Sequence, residues 1–489
     1  MPGAIAVAGV VLVLVNTARW GAALSTDSAY YISAARNLLA GRGLICLDGG
    51  PLVAWPPLFP LLLAGLGKLG IEPLAGARLV NALAFGVVVF LAGVLLSRSV
   101  RDRTLVAIGT VAVMVSPAFV ETAITVWTEP VFALLIALLA LLLGRFSTRG
   151  RMRDFIAVAL ITALAPLQRY MGMAMIPAAA LGILTARELP LRRRGVYSVV
   201  LCLLSPLPLG LWLARNLRLS GTLTGARPGT FAALGPSAQA LSRAVLDWFL
   251  PERVGKVLGA LSIVLVLGAA VLTGWLALPA IRQRKGTGPT HVRFALIALA
   301  VYAAGLLAAG SSYNTQYYRY TAPVFFLVVL MLAVAADRII ETLGRKKGSQ
   351  GPVRPLVVAV GVLLLVYPML RLADMTRRVA KTGTGGFESP AWRQDQVITW
   401  LKANPVSGRI LSNNPAAVYI LTGAEARMSP RRDDDPVRLR QAGTVAPGDH
   451  LVWFRRIARP YLMSRDELNQ KFPLKVIMST PDGGVAVFR

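Results

Sequence analysis

Asp27 opens the segment Thr26-Asp27-Ser28-Ala29-Tyr30-Tyr31, directly after the first long apolar run of the chain. A carboxylate at a helix N-terminus is held in its ionised form, the form that takes or orients a hydroxyl proton. Helix capping is the other use of the same residue, and Ser25 or Thr26 could cap equally well; the two roles can coexist. Three arginines, Arg169 (followed by Tyr170), Arg215 and Arg319, fall at the ends of apolar runs. A guanidinium there either snorkels to the interface or binds a phosphate through its planar fork. Glu121 and Glu129 flank the turn between two further runs. They read as solvated loop carboxylates, with a second acid or a metal ligand as the alternative.

Other chemistries find little to work with. The only histidines are His291 and His450, far apart, so no imidazole metal cluster is expected. Cys46 and Cys202 fall in a loop and in an apolar run, which argues against a mutual disulfide. No phosphate-binding glycine loop, nucleophile elbow or HExxH pair occurs. The run Asp433-Asp434-Asp435, set between Arg431-Arg432 and Arg438, reads as a solvated, self-neutralised turn.

The elements that must position these residues are mostly apolar helices. Of the 489 residues, 55% are hydrophobic and 15% charged, against about a quarter charged in soluble proteins; mean hydropathy is +0.61. Apolar runs of about 20 residues recur, which defines an all-α polytopic membrane protein. The formal net charge is +29. Its basic residues concentrate between alternate runs, at 98–103, 145–153, 187–194, 282–293 and 338–354. That is the positive-inside distribution, so topology rather than nucleic acid accounts for the charge.

Eleven spans are expected, near 4–24, 74–97, 104–120, 129–145, 155–168, 172–186, 196–214, 257–281, 294–309, 321–340 and 355–372. The first is long and lacks a basic start, so it reads as a retained span rather than a cleaved signal. The N-terminus is then cytoplasmic. Residues 1–372 form the membrane domain, with a first outer loop at 25–73, and 373–489 form a small extracytoplasmic α/β domain.

In the outer loop, a helix over 28–39 puts Tyr31, Ile32, Ala35, Leu38 and Leu39 on one stripe, opposite Ser33, Arg36 and Asn37. This predicts a helix lying on the bilayer surface, ended by Gly41 and Gly43. Pro56-Pro57 starts a second short helix at 58–69. Two more polar stretches share this face. One is a Gly/Pro-rich loop through Gly221, Gly225, Arg227 and Gly229; the other is Tyr313-Asn314-Thr315-Gln316-Tyr317-Tyr318-Arg319-Tyr320. In the tail, helices at 392–403 and 466–472, strands at 409–412 and 449–454, and a hairpin at 475–488 turning at Pro481-Asp482-Gly483-Gly484 are expected.

Taken as an ordered set, these features resemble the GT-C glycosyltransferases. They are Asp27 and Tyr31, Ala35-Arg36-Asn37-Leu38-Leu39-Ala40-Gly41, Asp48-Gly49-Gly50-Pro51, Pro56-Pro57, Ala77-Arg78-Leu79, Arg169-Tyr170 with Gly172, Trp212 with Arg215-Asn216, and Arg319-Tyr320 with Pro323. The branch they resemble is the dolichyl-phosphate-mannose protein mannosyltransferases together with the lipid A aminoarabinose transferase. The resemblance covers roughly residues 20–340 and implies inverting transfer of a sugar from a polyprenyl-phosphate donor to a lipid, glycan or protein acceptor on the outer face of the plasma membrane. It implies Asp27 as the catalytic base and Arg169, Tyr170, Arg215 and Arg319 as the donor-phosphate contacts. Tyr31, Arg36, Trp55, Arg78, Glu129 and Tyr320 are the expected substrate contacts.

No cofactor is implied, and a divalent metal finds no support. Two departures stand out: Ser28 where many members carry a second acid, and Trp55 where many carry lysine. Arg169 or Arg215 would then take over the phosphate contact. A transporter or flippase is the alternative, although the ionisable residues gather on one face rather than at the midplane and no inverted repeat is visible. A non-catalytic lipid-glycan-binding relative is the third reading.

Overall fold

The computed structural model describes residues 1–225, 234–282, 288–309, 317–346 and 353–489. Arg227, Gly229, Arg284, Lys285, Tyr313, Asn314, Thr315, Gln316 and Lys347, which entered the sequence reading, lie outside the described residues. The chain divides into two compact units. Unit 1 comprises residues 1–16, 53–59 and 78–377; unit 2 comprises 17–52, 60–77 and 378–489.

Helices follow one another through the first part of the chain as α1 (Pro2–Asn16), α2 (Thr26–Leu39), α3 (Leu58–Lys68), α4 (Pro73–Ser99), α5 (Arg103–Met114) and α6 (Pro117–Ile124). Then come α7 (Glu129–Arg149), α8 (Met152–Gln168), α9 (Met175–Leu184), α10 (Leu191–Leu204), α11 (Leu207–Ser220) and α12 (Leu234–Leu246). The series ends with α13 (Glu252–Leu258), α14 (Leu261–Arg282), α15 (Gly288–Ala308), α16 (Tyr317–Thr321), α17 (Phe325–Lys346) and α18 (Val353–Thr382).

Each of the eleven expected spans overlaps helix, but they are not eleven full crossings. Among the described residues seven helices are long and apolar enough to cross a membrane, or eight if the bent pair α5–α6 is one span. At 1.5 Å per residue the 15 residues of α1 reach only about 22 Å, short of a ~30 Å hydrocarbon core. The expected first span to residue 24 is therefore corrected to end at Asn16. There the polar residues begin: Asn16 donates back to Leu12 O, and Arg19 and Trp20 both donate to the carbonyl of Ala380. The α5–α6 bend of 46° has a local cause, since Ser116-Pro117 breaks the helical hydrogen-bond ladder.

In unit 1, α7 is the central element and packs on α8, α9 and α15, while α17 packs on α5, α14 and α15. Apolar side chains at helical spacing, among them Phe132, Ile136, Leu139 and Leu143, fill this interior.

Unit 2 is built around a five-stranded sheet of β1 (Ile410–Ser412), β2 (Ala426–Met428), β3 (His450–Phe454), β4 (Leu474–Thr480) and β5 (Gly483–Phe488). Its order is β2-β1-β3-β5-β4; β1 pairs parallel with β2 and β3, and the rest is antiparallel. Helices α19 (Pro390–Arg393), α20 (Gln396–Ala403), α21 (Pro415–Thr422), α22 (Pro436–Gln441) and α23 (Arg465–Lys471) flank it. The expected helix at 392–403 is two helices, because Asp395 caps the second by accepting from Val397 N and Ile398 N. Leu411, Leu451, Met463, Leu468, Phe472 and Phe488 form the core. The acidic run behaves as a turn: Asp434 accepts from Arg431 N, and Asp435 caps α22.

Helix α2 departs from the expected surface helix. Ser33 and Asn37, assigned to its polar face, are buried, whereas Leu39 on the apolar stripe is exposed. The cause is protein on both sides. Asn37 Nδ2 donates 2.7 Å to Ile45 O in the segment that folds back after the helix, and α21 packs against α2. The expected stop is present: Gly41 at φ +77° donates to Leu38 O, and Arg42 N to Asn37 O, a paired Schellman closure.

Candidate active site

Glu129 is the first residue of α7, placed by Pro130 in the opening turn. It is not solvated, as the sequence reading held. Its side chain is fully buried, and two arginines converge on the same oxygen, Oε1: Arg169 Nη1 at 2.5 Å and Arg319 Nε. The Arg169 and Arg319 side chains are themselves 11% and 5% exposed. A carboxylate at the start of a long apolar helix is costly unless paired, and the ends of α8 and α16 supply the pairing.

Aromatic rings and polar caps complete this cluster. The Arg319 guanidinium lies 3.8 Å from the Trp127 ring centroid, and that of Arg169 lies 5.3 Å from Tyr320. Arg169 Nη1 donates 2.8 Å to Thr128 Oγ1, and Gln168 Nε2 donates 3.1 Å to Thr128 O. Tyr318 OH donates to Glu121 Oε1, and Tyr302 OH to Tyr320 O. Glu129 alone offsets one of its two guanidiniums, and Glu121, joined through Tyr318, is a second carboxylate close by. Glu129 Oε2 is buried with no hydrogen-bond partner among the described residues.

A second group continues from the neighbouring residue. Tyr170 OH donates 3.0 Å to Val53 O and receives Trp212 Nε1 at 3.2 Å. Asn216 Nδ2 also donates to Val53 O, while Arg215 donates to Asn216 Oδ1 and lies 4.4 Å from the Trp212 ring. The tight bend carrying Arg169 and Tyr170 requires Gly172, where an added Cβ would fall 2.2 Å from the Ala165 backbone. Gly172→Ala is expected to lower stability by about 1–3 kcal/mol through forced backbone displacement, read as an earlier thermal midpoint of the detergent-purified protein.

The structure thus brings Arg169, Arg319, Glu129 and Tyr320 together; Tyr170 follows Arg169, and Arg215 is linked to Tyr170 through Trp212. Arg78 donates to Leu14 O, and Trp55 is half-buried in the 53–59 segment of unit 1. Asp27, Tyr31 and Arg36 belong to unit 2, on α2. Ser25 is the cap of that helix, with Ser28 closing a capping box, so Asp27 is not the capping residue. Arg36 is held by Glu72 at 2.6 Å, and Tyr31 is buried. Trp127, Thr128 and Gln168 escaped sequence reasoning. The signal for them was the position of Glu129, since a helix-opening carboxylate in an apolar protein demands polar company. Among the described residues no group of three His, Cys, Asp or Glu side chains could hold a metal.

The bundle of apolar helices and the small sheet module have the GT-C fold. Residues 54–212 match the family model of the dolichyl-phosphate-mannose-protein mannosyltransferases. The chain is similar to two crystal structures of ArnT from Cupriavidus metallidurans, one bound to undecaprenyl phosphate (TM-score 0.54) and one in the apo state (0.62). In both, identity is 14%, over 99% of this chain and 97% of that chain. No curated protein matches the chain.

Proposed function

We propose that this multi-pass membrane protein is an inverting glycosyltransferase that moves a sugar from a polyprenyl-phosphate donor to a lipid, glycan or protein acceptor. The observation that carries the reading is the pair of buried arginines on Glu129, at the ends of α8 and α16, in a chain with the GT-C fold. The ArnT structure bound to undecaprenyl phosphate supports the donor class, and the comparisons do not favour a transporter or flippase. In this reading Asp27 takes the proton of the acceptor hydroxyl. That oxygen attacks the anomeric carbon, the bond to the phosphate oxygen breaks, and a single displacement inverts the centre. The departing phosphate keeps the electron pair, and Arg169, Arg319 and Arg215 stabilise its charge, with Tyr170 at the same place; such preorganised donors supply several kcal/mol in water-poor sites. Tyr31, Arg36, Trp55, Arg78, Glu129 and Tyr320 shape the substrate sites, with Glu129 orienting the arginines.

The test is to incubate purified protein with a panel of radiolabelled polyprenyl-phosphate sugars and score donor consumption. A panel entirely unconsumed would reject the reading.

If Arg169 clamps the phosphate, Arg169→Lys keeps the charge but loses the fork. It should cost about tenfold in turnover, and Arg169→Ala about a hundredfold or more. The same changes at exposed Arg98 are expected to be silent. Wild-type rates in both Arg169 variants would leave the clamp without support.

The same reading puts the protein in the plasma membrane, with the N-terminus cytoplasmic and unit 2 outside, on the strength of the basic clusters. A C-terminal reporter is expected to be active outside, and one inserted at 192–194 inside.

A further inference from the structure

The parallel half of the unit 2 sheet has a topological switch point. From β1 the chain runs through α21 to β2 on one side, then through α22 to β3 on the other. In such sheets ligands bind in the crevice beyond the C-terminal strand ends. Here those ends are joined into one rim. Asn413 donates to Phe454 O and Ile457 O and accepts from Phe454 N, and Arg432 N and Met463 N donate to Tyr461 O and Pro430 O.

Two polar atoms at these ends have no hydrogen-bond partner among the described residues, Asn414 Oδ1 and Ser429 Oγ, on residues only 2% exposed. Asn414 is the N-cap residue of α21, yet its side chain makes no capping bond. Buried polar groups are ordinarily satisfied, so an orphaned pair marks a place where something else supplies the partner.

The rim has a definite chemical character. Tyr461 is 45% exposed; its hydroxyl receives Arg459 Nη1 at 2.8 Å, and the Arg431 guanidinium lies 5.6 Å from its ring. Neighbouring Arg432 and Arg456 are tied to Glu467 and Asp395. Among the described residues no such ion pair occupies Arg431 or Arg459. An exposed ring flanked by two guanidiniums that no carboxylate pairs suits a sugar face carrying an oxyanion. Helix α2 packs on α21, the helix that follows β1. Tyr30, three residues from Asp27 and so on the same helix face, is raised above the ordinary tyrosine pKa by burial and then by Asp48, and it also senses Arg459 and Tyr461.

We propose that this crevice in unit 2 is an acceptor subsite that takes a saccharide bearing a phosphate or carboxylate group. The term acceptor rests on the glycosyltransferase reading; the binding does not. Full-length protein in nanodiscs is titrated by calorimetry with glucose 1-phosphate, glucuronic acid, glucose and inorganic phosphate. At least one charged sugar should bind about tenfold or more tighter than glucose and inorganic phosphate, and the two charged arms distinguish phosphate from carboxylate. Tyr461→Ala and Arg459→Gln should each weaken that binding about tenfold. Arg438→Gln, an equal charge change at an exposed position on α22, should not. Equal binding of glucose, or an Arg459→Gln variant indistinguishable from Arg438→Gln, would overturn the subsite. Charged sugars bound by a protein that consumes no donor would overturn the acceptor role and keep the site. Donor consumption without sugar binding would overturn the subsite and leave the glycosyltransferase reading standing.

Discussion

Glu129→Gln is expected to be the most destabilising single change in unit 1. It leaves two arginines, one 11% and one 5% exposed, without the carboxylate oxygen they share. Removing one partner from a buried ion pair costs about 3–5 kcal/mol, because the remaining charge is uncompensated. Here two charges are left, and they repel each other. The amide keeps the shape and one acceptor, so any loss reports charge rather than packing. The measurement is the thermal midpoint in detergent, followed by fluorescence-detected size exclusion. A double variant, Glu129→Gln with Arg319→Met, should recover part of the loss, since neutralising one guanidinium removes the repulsion; residues in one network couple in this way. A Glu129→Gln protein that melts like wild type would show that the arginines are compensated by other groups.

Asp27→Asn is expected to act on rate rather than on folding. The cap of α2 is Ser25, with Ser28 returning the bond, so the fold does not depend on the Asp27 carboxylate for capping. Asparagine retains the size of the side chain but takes no proton. If Asp27 is the base, turnover should fall about 10²–10⁴-fold, a loss out of proportion to any accompanying shift of the thermal midpoint. Sugar transfer to acceptor and thermal melting are measured on the same preparation. Normal turnover in the asparagine variant would remove the base assignment.

The contrast between these residues shows what the sequence made legible. Asp27 stood out because a helix start, with its Ser25 and its Gly41, is written in local residues, and those determine α2 wherever it lies. The same local signals revealed the hairpin at Pro481-Asp482 and the strands holding Ile410 and Leu451. The sequence alone suggests a solvated Glu129, because its burial depends on Arg169 and Arg319, which lie 40 and 190 residues away. Nothing next to Glu129 records that they converge. Helix α2 was misjudged for the same reason: a stripe of apolar residues does not say whether lipid or α21 covers it. Short elements were lost as well. Strand β2 has three residues and α22 six, too few to set up a period. Helix α12 was hidden by the Gly/Pro-rich stretch preceding it.

Unit 2 is discontinuous, and that has a consequence in time. Leu24 N donates to Glu388 Oε2 across 364 residues, and Arg42 pairs with Glu425 across 383. At a synthesis rate of about 5–20 residues per second, the segment 17–52 exists for about 20–70 s before the residues that bury it have been made. For that interval Tyr31, Ile32 and Ala35 have no tail to pack on. The stretch carrying Asp27 is thus among the first parts of the protein to emerge and among the last to acquire its final neighbours. A ribosome stalled before Glu388 would present it as a site for chaperones or proteases.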